Sequence, residues 1–252
     1  MKRVKEGAKW TWSALRPGAV IGFSLGSALT NMAWQYCVTP LIAQLLSQEL
    51  HESKYQSGRL PAVIRVGYMN LLDFFAVYGT LCKETGTPFR YPGDPVTYRV
   101  VMDCVDVDLL TMCQIWLSTH PKAQNTAYNI NNGDVFRFEQ VWPAMAQWFG
   151  VETGPPLKIP LPVFMPQHKD TWSHIRKKYH LKDLPYDHLH QADFAEAWLS
   201  YPADAFNDVT KLRRAGFDRM NIWSEECLIS WLNELAKDKV IPDYPAMRKG
   251  HS

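Results

Sequence analysis

The chain has 252 residues, 46% hydrophobic and 21% charged, proportions that exclude a disordered polar chain and fit a folded core. Its 27 basic and 25 acidic residues are scattered and leave a formal charge of +2, so a nucleic-acid partner has no electrostatic support. Five cysteines (Cys37, Cys82, Cys104, Cys113, Cys227) show no CxxC spacing, which argues for reduced cytoplasmic thiols over a disulfide framework or a zinc site.

In chain order, residues 4–9 read as the tail of a helix closing on Gly7. Residues 10–15 and 19–23 read as a buried strand that leaves a sheet through the turn at 24–27. No apolar stretch of signal-peptide kind follows Lys2, Arg3 and Lys5, and the run at 68–77 contains Asn70 and Asp73, so neither a leader nor a membrane span is expected. An amphipathic helix interrupted at Pro40 fits 31–52, then a polar loop at 53–61 and a short apolar piece at 62–66. Helical periodicity resumes over 70–83 and closes on Gly86, followed by a loop at 88–95 and a strand at 97–102. Asp106 is the expected N-cap of a helix over 107–118, with Asp108 in its first turn. A strand at 127–130, a turn at 131–134 and a helix over 135–149 ended by Gly150 complete an αβα stretch. Beyond a proline-rich linker (155–166), helices are expected at 171–179, 187–198, 207–214 and 224–237.

Several side-chain groups invite a chemical reading. His168, His174, His180, His188 and His190 lack paired metal-ligand spacing and read as part of a solvated lobe. Asp103, Asp106 and Asp108 look like a carboxylate cluster, but a strand–helix junction favours capping over catalysis. Nothing near Cys104 or Cys113 would lower a thiol pKa. The strand–turn–helix units supply two or three strands, too few for a self-sufficient parallel sheet; the chain either pairs with another or is a partial domain.

The segments TWSALRPGAVIGFS, AVYGTLCKETGTPFRYPG, AYNINNGDVFRFEQVWPAMAQWFGVE and KLRRAGF with WLNELAKDKVIP occur in that order. In them the chain resembles the C-terminal half of the extended short-chain dehydrogenase/reductases, and within these the progesterone 5-beta-reductase and iridoid synthase-like enzymes. The resemblance implies an α/β fold: the distal portion of an extended Rossmann fold (1–150) with a mostly helical substrate lobe (151–252). It implies NADP(H) as cofactor and hydride transfer to the enone or ketone of a small apolar carbonyl compound, in a setting of fungal secondary metabolism. The cofactor contacts it assigns are Pro17, Ile21, Ser27, Ala28 and Leu29, where a strand ends at the carboxyl edge of a sheet and small residues let the backbone approach a ligand. The substrate contacts it assigns are Met69 and Asn70 at the mouth of a pocket and the aromatic pair Phe194 and Trp198 above it. The bland alternatives are an exit turn, a helix N-cap at Asn70 and an ordinary i, i+4 core pair.

Two departures from the family pattern matter. No Gly-rich phosphate loop occurs in the chain, and no Tyr-x-x-x-Lys stands ahead of Trp10, so the cofactor cradle and the catalytic pair are expected upstream of Met1. The stretch at about 30–68 interrupts the family spacing, as a translated intron or a loop insertion. Three readings follow: a reductase, a truncated and inactive reductase fragment, or a binding and assembly module that recruits a homo- or hetero-oligomeric partner through an exposed sheet edge.

Overall fold

A computed structural model describes residues 13–17, 19–21 and 71–244. Two strands open it, β1 (Ser13–Pro17) and β2 (Ala19–Ile21), and are followed by α1 (Leu71–Thr85), β3 (Phe89–Arg90), β4 (Cys104–Asp106) and α2 (Val107–Thr119). Next come β5 (Thr126–Ile130), α3 (Phe138–Phe149), β6 (Thr153–Gly154), α4 (Leu161–Gln167) and α5 (Lys169–Tyr179). The described chain closes with α6 (Tyr186–His190), α7 (Ala192–Leu199), α8 (Thr210–Ala215) and α9 (Ser224–Lys237).

Each of the two opening strands has its own parallel partner. β1 pairs with β5 from Ser13 opposite Thr126 to Pro17 opposite Ile130, and β2 pairs with β4 from Ala19 opposite Cys104 to Ile21 opposite Asp106. Just past β5, Asn132 N–H donates to Cys104 O at 2.8 Å, which wedges β4 between β2 and the chain leaving β5. Among the described residues, β1 and β2 each pair with one strand.

Parallel strands need cover on both faces because their side chains alternate between them. Val105, Tyr128 and Ile130 point into a core shared with Leu109, Cys113 and Leu117 of α2 and Leu212 of α8. Cys104 and Ile21 face the opposite core, built on α1, α3 and α9. The result is an α/β arrangement of two helical layers around a short parallel sheet.

α1 is the axis of the larger core. Every residue from Leu71 to Cys82 is buried, as expected of a helix apolar all round with no proline to break it. It stops at Gly86, whose φ of +69° suits glycine, where Thr87 N–H reaches back to Cys82 O at 3.0 Å. Gly79 lets α3 approach closely: a Cβ there would sit 2.2 Å from the Phe149 ring. Around this contact Phe89 and Trp142 stack at 4.4 Å, and the indole N–H of Trp142 donates to Phe89 O at 2.9 Å.

Several expected elements are corrected. The stretch 97–102 is not a strand: Thr97–Arg99 is a 3-10 turn, and Met102 makes single bridges to Phe136 and Ala205. The pairing strand is Cys104–Asp106, because a short apolar run does not by itself select its register. α3 starts at Phe138 and not at 135, since Phe136 and Met102 exchange main-chain hydrogen bonds of 2.9 Å. The proline-rich linker holds α4, with Leu161 and Met165 buried; proline in a first helical turn sacrifices no intrahelical bond. The span 187–198 is two helices broken at Gln191 (φ +37°), and 207–214 shrinks to Thr210–Ala215. No helix among the described residues is long and apolar enough to cross a membrane.

Candidate functional site

The carboxyl ends of parallel strands, where backbone amides and loops converge, are where open α/β sheets place their ligands. Here that edge carries a dense polar junction. Asp106 ends β4 and caps α2: its Oδ1 accepts from Asp108 N–H at 2.7 Å and Leu109 N–H at 3.1 Å. Its Oδ2 accepts from the indole N–H of Trp231 at 2.8 Å and the thiol of Cys227 at 3.3 Å, both on α9. A single carboxylate thus ties the sheet, α2 and α9 together.

The loop leaving β5, Asn131–Asn132–Gly133–Asp134, completes the junction. The Asn132 side-chain oxygen accepts from Asp106 N–H at 2.7 Å, while Ile222 N–H donates to Asn132 O at 3.0 Å. Asp134 caps α9 from a distance, accepting from Ser224 N–H at 2.9 Å and from the Ser224 hydroxyl at 2.6 Å. The Cys104 thiol donates to Ser224 Oγ at 3.2 Å. Gly133 has φ +109°, and a Cβ there would stand 2.1 Å from Met220 O, so the turn tolerates no side chain.

Asp103 serves a different loop. Its Oδ2 accepts from Asn207 N–H at 2.6 Å and from the Asn131 amide at 2.9 Å. Burial raises its pKa, against the lowering pull of those hydrogen bonds. The capping role expected of the aspartate group holds for Asp106, whereas Asp103 braces the loop before α8.

Burial pushes all four described thiols up, Cys113 to about 12, and each is buried and free of disulfide bonds. A thiol held protonated is a poor nucleophile. The Cys104–Ser224–Asp134 chain superficially looks like a nucleophile relay, but Cys104 and Ser224 are fully buried. This junction is architecture: it fixes how the sheet's carboxyl edge meets α2 and α9.

The residues expected at a site are only partly within the described structure. Pro17 ends β1 opposite Ile130 and is exposed; Ile21 ends β2 opposite Asp106 and is 3% exposed, packed into the core of α1 and α9. Phe194 and Trp198 lie edge to face on α7 with centroids 6.3 Å apart, half-buried at the margin of that same core. α1 packs against both β2 and α7, so it links the two groups. Ser27, Ala28, Leu29, Met69 and Asn70 lie outside the described residues.

The described residues do not fit a dinucleotide's phosphates. The helix N-terminus at the sheet's carboxyl edge, that of α2, already has its free amides taken by the Asp106 carboxylate, which would repel a phosphate. His168 and His174 make local contacts to carbonyls four residues back, at 2.9 and 2.7 Å. Among the described residues no group of three His, Cys, Asp or Glu is placed to hold a metal.

Sequence reasoning read 131–134 as a turn and missed its junction role, along with Ser224 and Trp231. The signal was present in the paired asparagines and Gly-Asp directly after a parallel strand, since Asn and Asp side chains bond nearby backbone in such turns.

A layered α/β fold built on parallel strands is shared by proteins of many unrelated functions. No protein-family model matches the chain. In sequence it is related to the iridoid synthase and steroid 5-beta-reductase group. It is 25% identical over 249 residues to an (S)-8-oxocitronellyl enol synthase of Nepeta cataria, covering 96% of this chain and 52% of that protein. It is 27% identical over 179 residues to the 3-oxo-Delta(4,5)-steroid 5-beta-reductase of Arabidopsis thaliana, covering 69% of this chain and 45% of that protein. An (S)-8-oxocitronellyl enol synthase of Antirrhinum majus is 37% identical over 139 residues, 54% of this chain and 35% of that protein. The chain spans about half the length of the curated relatives it matches. Among solved structures, the terminal R domain of the myxalamid PKS-NRPS pathway covers 68% of this chain and 39% of its own, at 17% identity and a TM-score of 0.42. A putative epimerase from Burkholderia cenocepacia J2315 covers 89% of this chain and 46% of its own, at 11% identity and a TM-score of 0.39.

Proposed function

We propose that this chain is the distal part of an NADP(H)-dependent reductase acting on a small apolar enone or ketone in secondary-metabolite biosynthesis. The observation that carries the reading is the sequence match to enol synthases and a steroid 5-beta-reductase, which extends over 96% and 69% of the chain. Within it, 1–150 contributes the distal Rossmann strands and 151–252 the helical substrate lobe. Pro17, Ile21, Ser27, Ala28 and Leu29 would approach the nicotinamide end of the cofactor; Met69, Asn70, Phe194 and Trp198 would line the substrate side. Among the described residues β1 and β2 each pair with one strand, which is compatible with a sheet completed by further strands, since a parallel strand with one partner leaves a row of amides and carbonyls to be satisfied.

The chain alone offers no phosphate cradle among its described residues, so it is expected to consume no NADPH with a simple enone, followed at 340 nm. Turnover by the purified chain that a cofactor competitor suppresses would overturn that expectation. A second reading, an assembly module, rests on the same singly paired strands. A cooperative thermal melt by circular dichroism together with a defined oligomer in sedimentation supports it; a non-cooperative, aggregating chain supports an inactive fragment instead.

A further inference from the structure

His190 stands at the break between α6 and α7, 5% exposed, with its ring 4.6 Å from that of Tyr186. Its Nδ1 accepts from Ala192 N–H at 3.2 Å, and Ala192 is the first residue of α7. That bond fixes the tautomer: Nδ1 must be bare and the proton must sit on Nε2. Nε2 is buried and faces the exposed Asp187 carboxylate at 3.5 Å, too long for a strong hydrogen bond. Between the two helices Gln191 holds φ +37°, a left-handed conformation uncomfortable for a residue with a side chain.

We propose that His190 is an acid-operated latch at the α6–α7 junction. Neutral, it accepts the Ala192 amide and holds α7 at its present angle to α6. Protonated, Nδ1 becomes a donor facing a donor, the bond is lost, and the strained junction at Gln191 is free to open. α7 carries Phe194 and Trp198 and packs on α4 and α1, so opening the junction loosens the aromatic margin of the larger core.

The surrounding groups set where the latch trips. Burial favours the neutral ring and lowers its pKa, partly opposed by the carboxylates of Asp187 and Asp193. Asp187 is itself 3.9 Å from Lys169 of α5, which tempers its pull. The titratable groups of α1, packed on α6, are Asp73, Tyr78, Cys82, Lys83 and Glu84, and α4 contributes none.

Hydrogen–deuterium exchange of the full chain at pH 7.5 and 5.5, corrected for intrinsic exchange, tests this. Peptides spanning 186–199 should lose about tenfold protection at the lower pH while those in α3 and α9 keep theirs. The His190→Asn variant places an amide oxygen near the Nδ1 position and does not titrate, so it should retain protection at pH 5.5. Equal acid loss in variant and wild type, or no loss confined to 186–199, overturns the latch. Should the variant fail to fold, nitrogen NMR of the wild-type imidazole decides: an Nδ1-protonated neutral ring at pH 7.5 overturns it, and an Nε2-protonated ring supports it.

Discussion

The core around α1 and the junction at the carboxyl edge of β4 and β5 are both buried, yet they are held by opposite means. The first is a stack of rings, Phe75, Phe89, Phe138, Trp142 and Phe149, whose stability follows buried apolar area and close packing. The second is a network around Asp106, Asn132 and Asp134, worth little net per bond but costly to leave half made. A packed core degrades in proportion to the volume removed. A polar junction degrades according to which partners are left behind, so isosteres matter there more than size.

Trp142→Ala tests the first half of the contrast most severely. Losing the stack on Phe89 and leaving a cavity should cost about 3–5 kcal/mol by urea denaturation, possible only with refilling if the loss is under 1. In the junction, Asp106→Ala should cost about 2–4 kcal/mol, since it removes a helix cap and the carboxylate that accepts from the Trp231 indole and the Cys227 thiol. Asp106→Asn, which keeps an acceptor in place, should recover at least half of that; equal losses for the two variants would dissolve the distinction between the regions. Gly79→Ala should cost about 1–3 kcal/mol by forcing the Phe149 ring away, read as a lowered melting temperature.

The pH response separates the regions again. The folded pKa of His190 lies below its ordinary 6.5, so the unfolded chain takes up the proton first as pH falls. Stability should therefore decline as pH drops through 6.5 and level off below the folded value, and His190→Asn should remove that part of the slope. A wild-type denaturation midpoint that does not change between pH 7.5 and 5.5 contradicts it. The smallest effect is expected at Lys239, outside both regions, whose φ of +57° favours glycine: Lys239→Gly should raise stability by about 0.5 kcal/mol, and a lowered denaturation midpoint contradicts it.

Much of the helical framework was legible in the residues. α1, α2 and α9 carry their own periodicity, and Asp106 before Val107, Gly86 after Thr85 and Gly150 after Phe149 mark ends of α2, α1 and α3 by side-chain and backbone chemistry that acts within one turn. Elements whose identity depends on a distant partner were not legible. Val100–Met102 and Cys104–Asp106 are both short and apolar, and only the pairing of Cys104 with Ala19 and of Met102 with Phe136 and Ala205 tells them apart. The helix hidden in the proline-rich stretch likewise forms where Leu161 and Met165 find the core.

For the candidate site the division is the same. By itself the sequence determined the kinship with reductases, the strand that runs to a sheet's carboxyl edge, and the cap at Asp106, because each is written in contiguous residues. Only the tertiary structure decided that Asn132, Asp134, Ser224 and Trp231 close on that cap, and that β1 pairs with β5 while β2 pairs with β4. Those facts depend on groups up to 125 positions apart meeting at hydrogen-bond distance. Local propensity carries no information about such meetings, which are set by how two helical layers fold onto one short sheet.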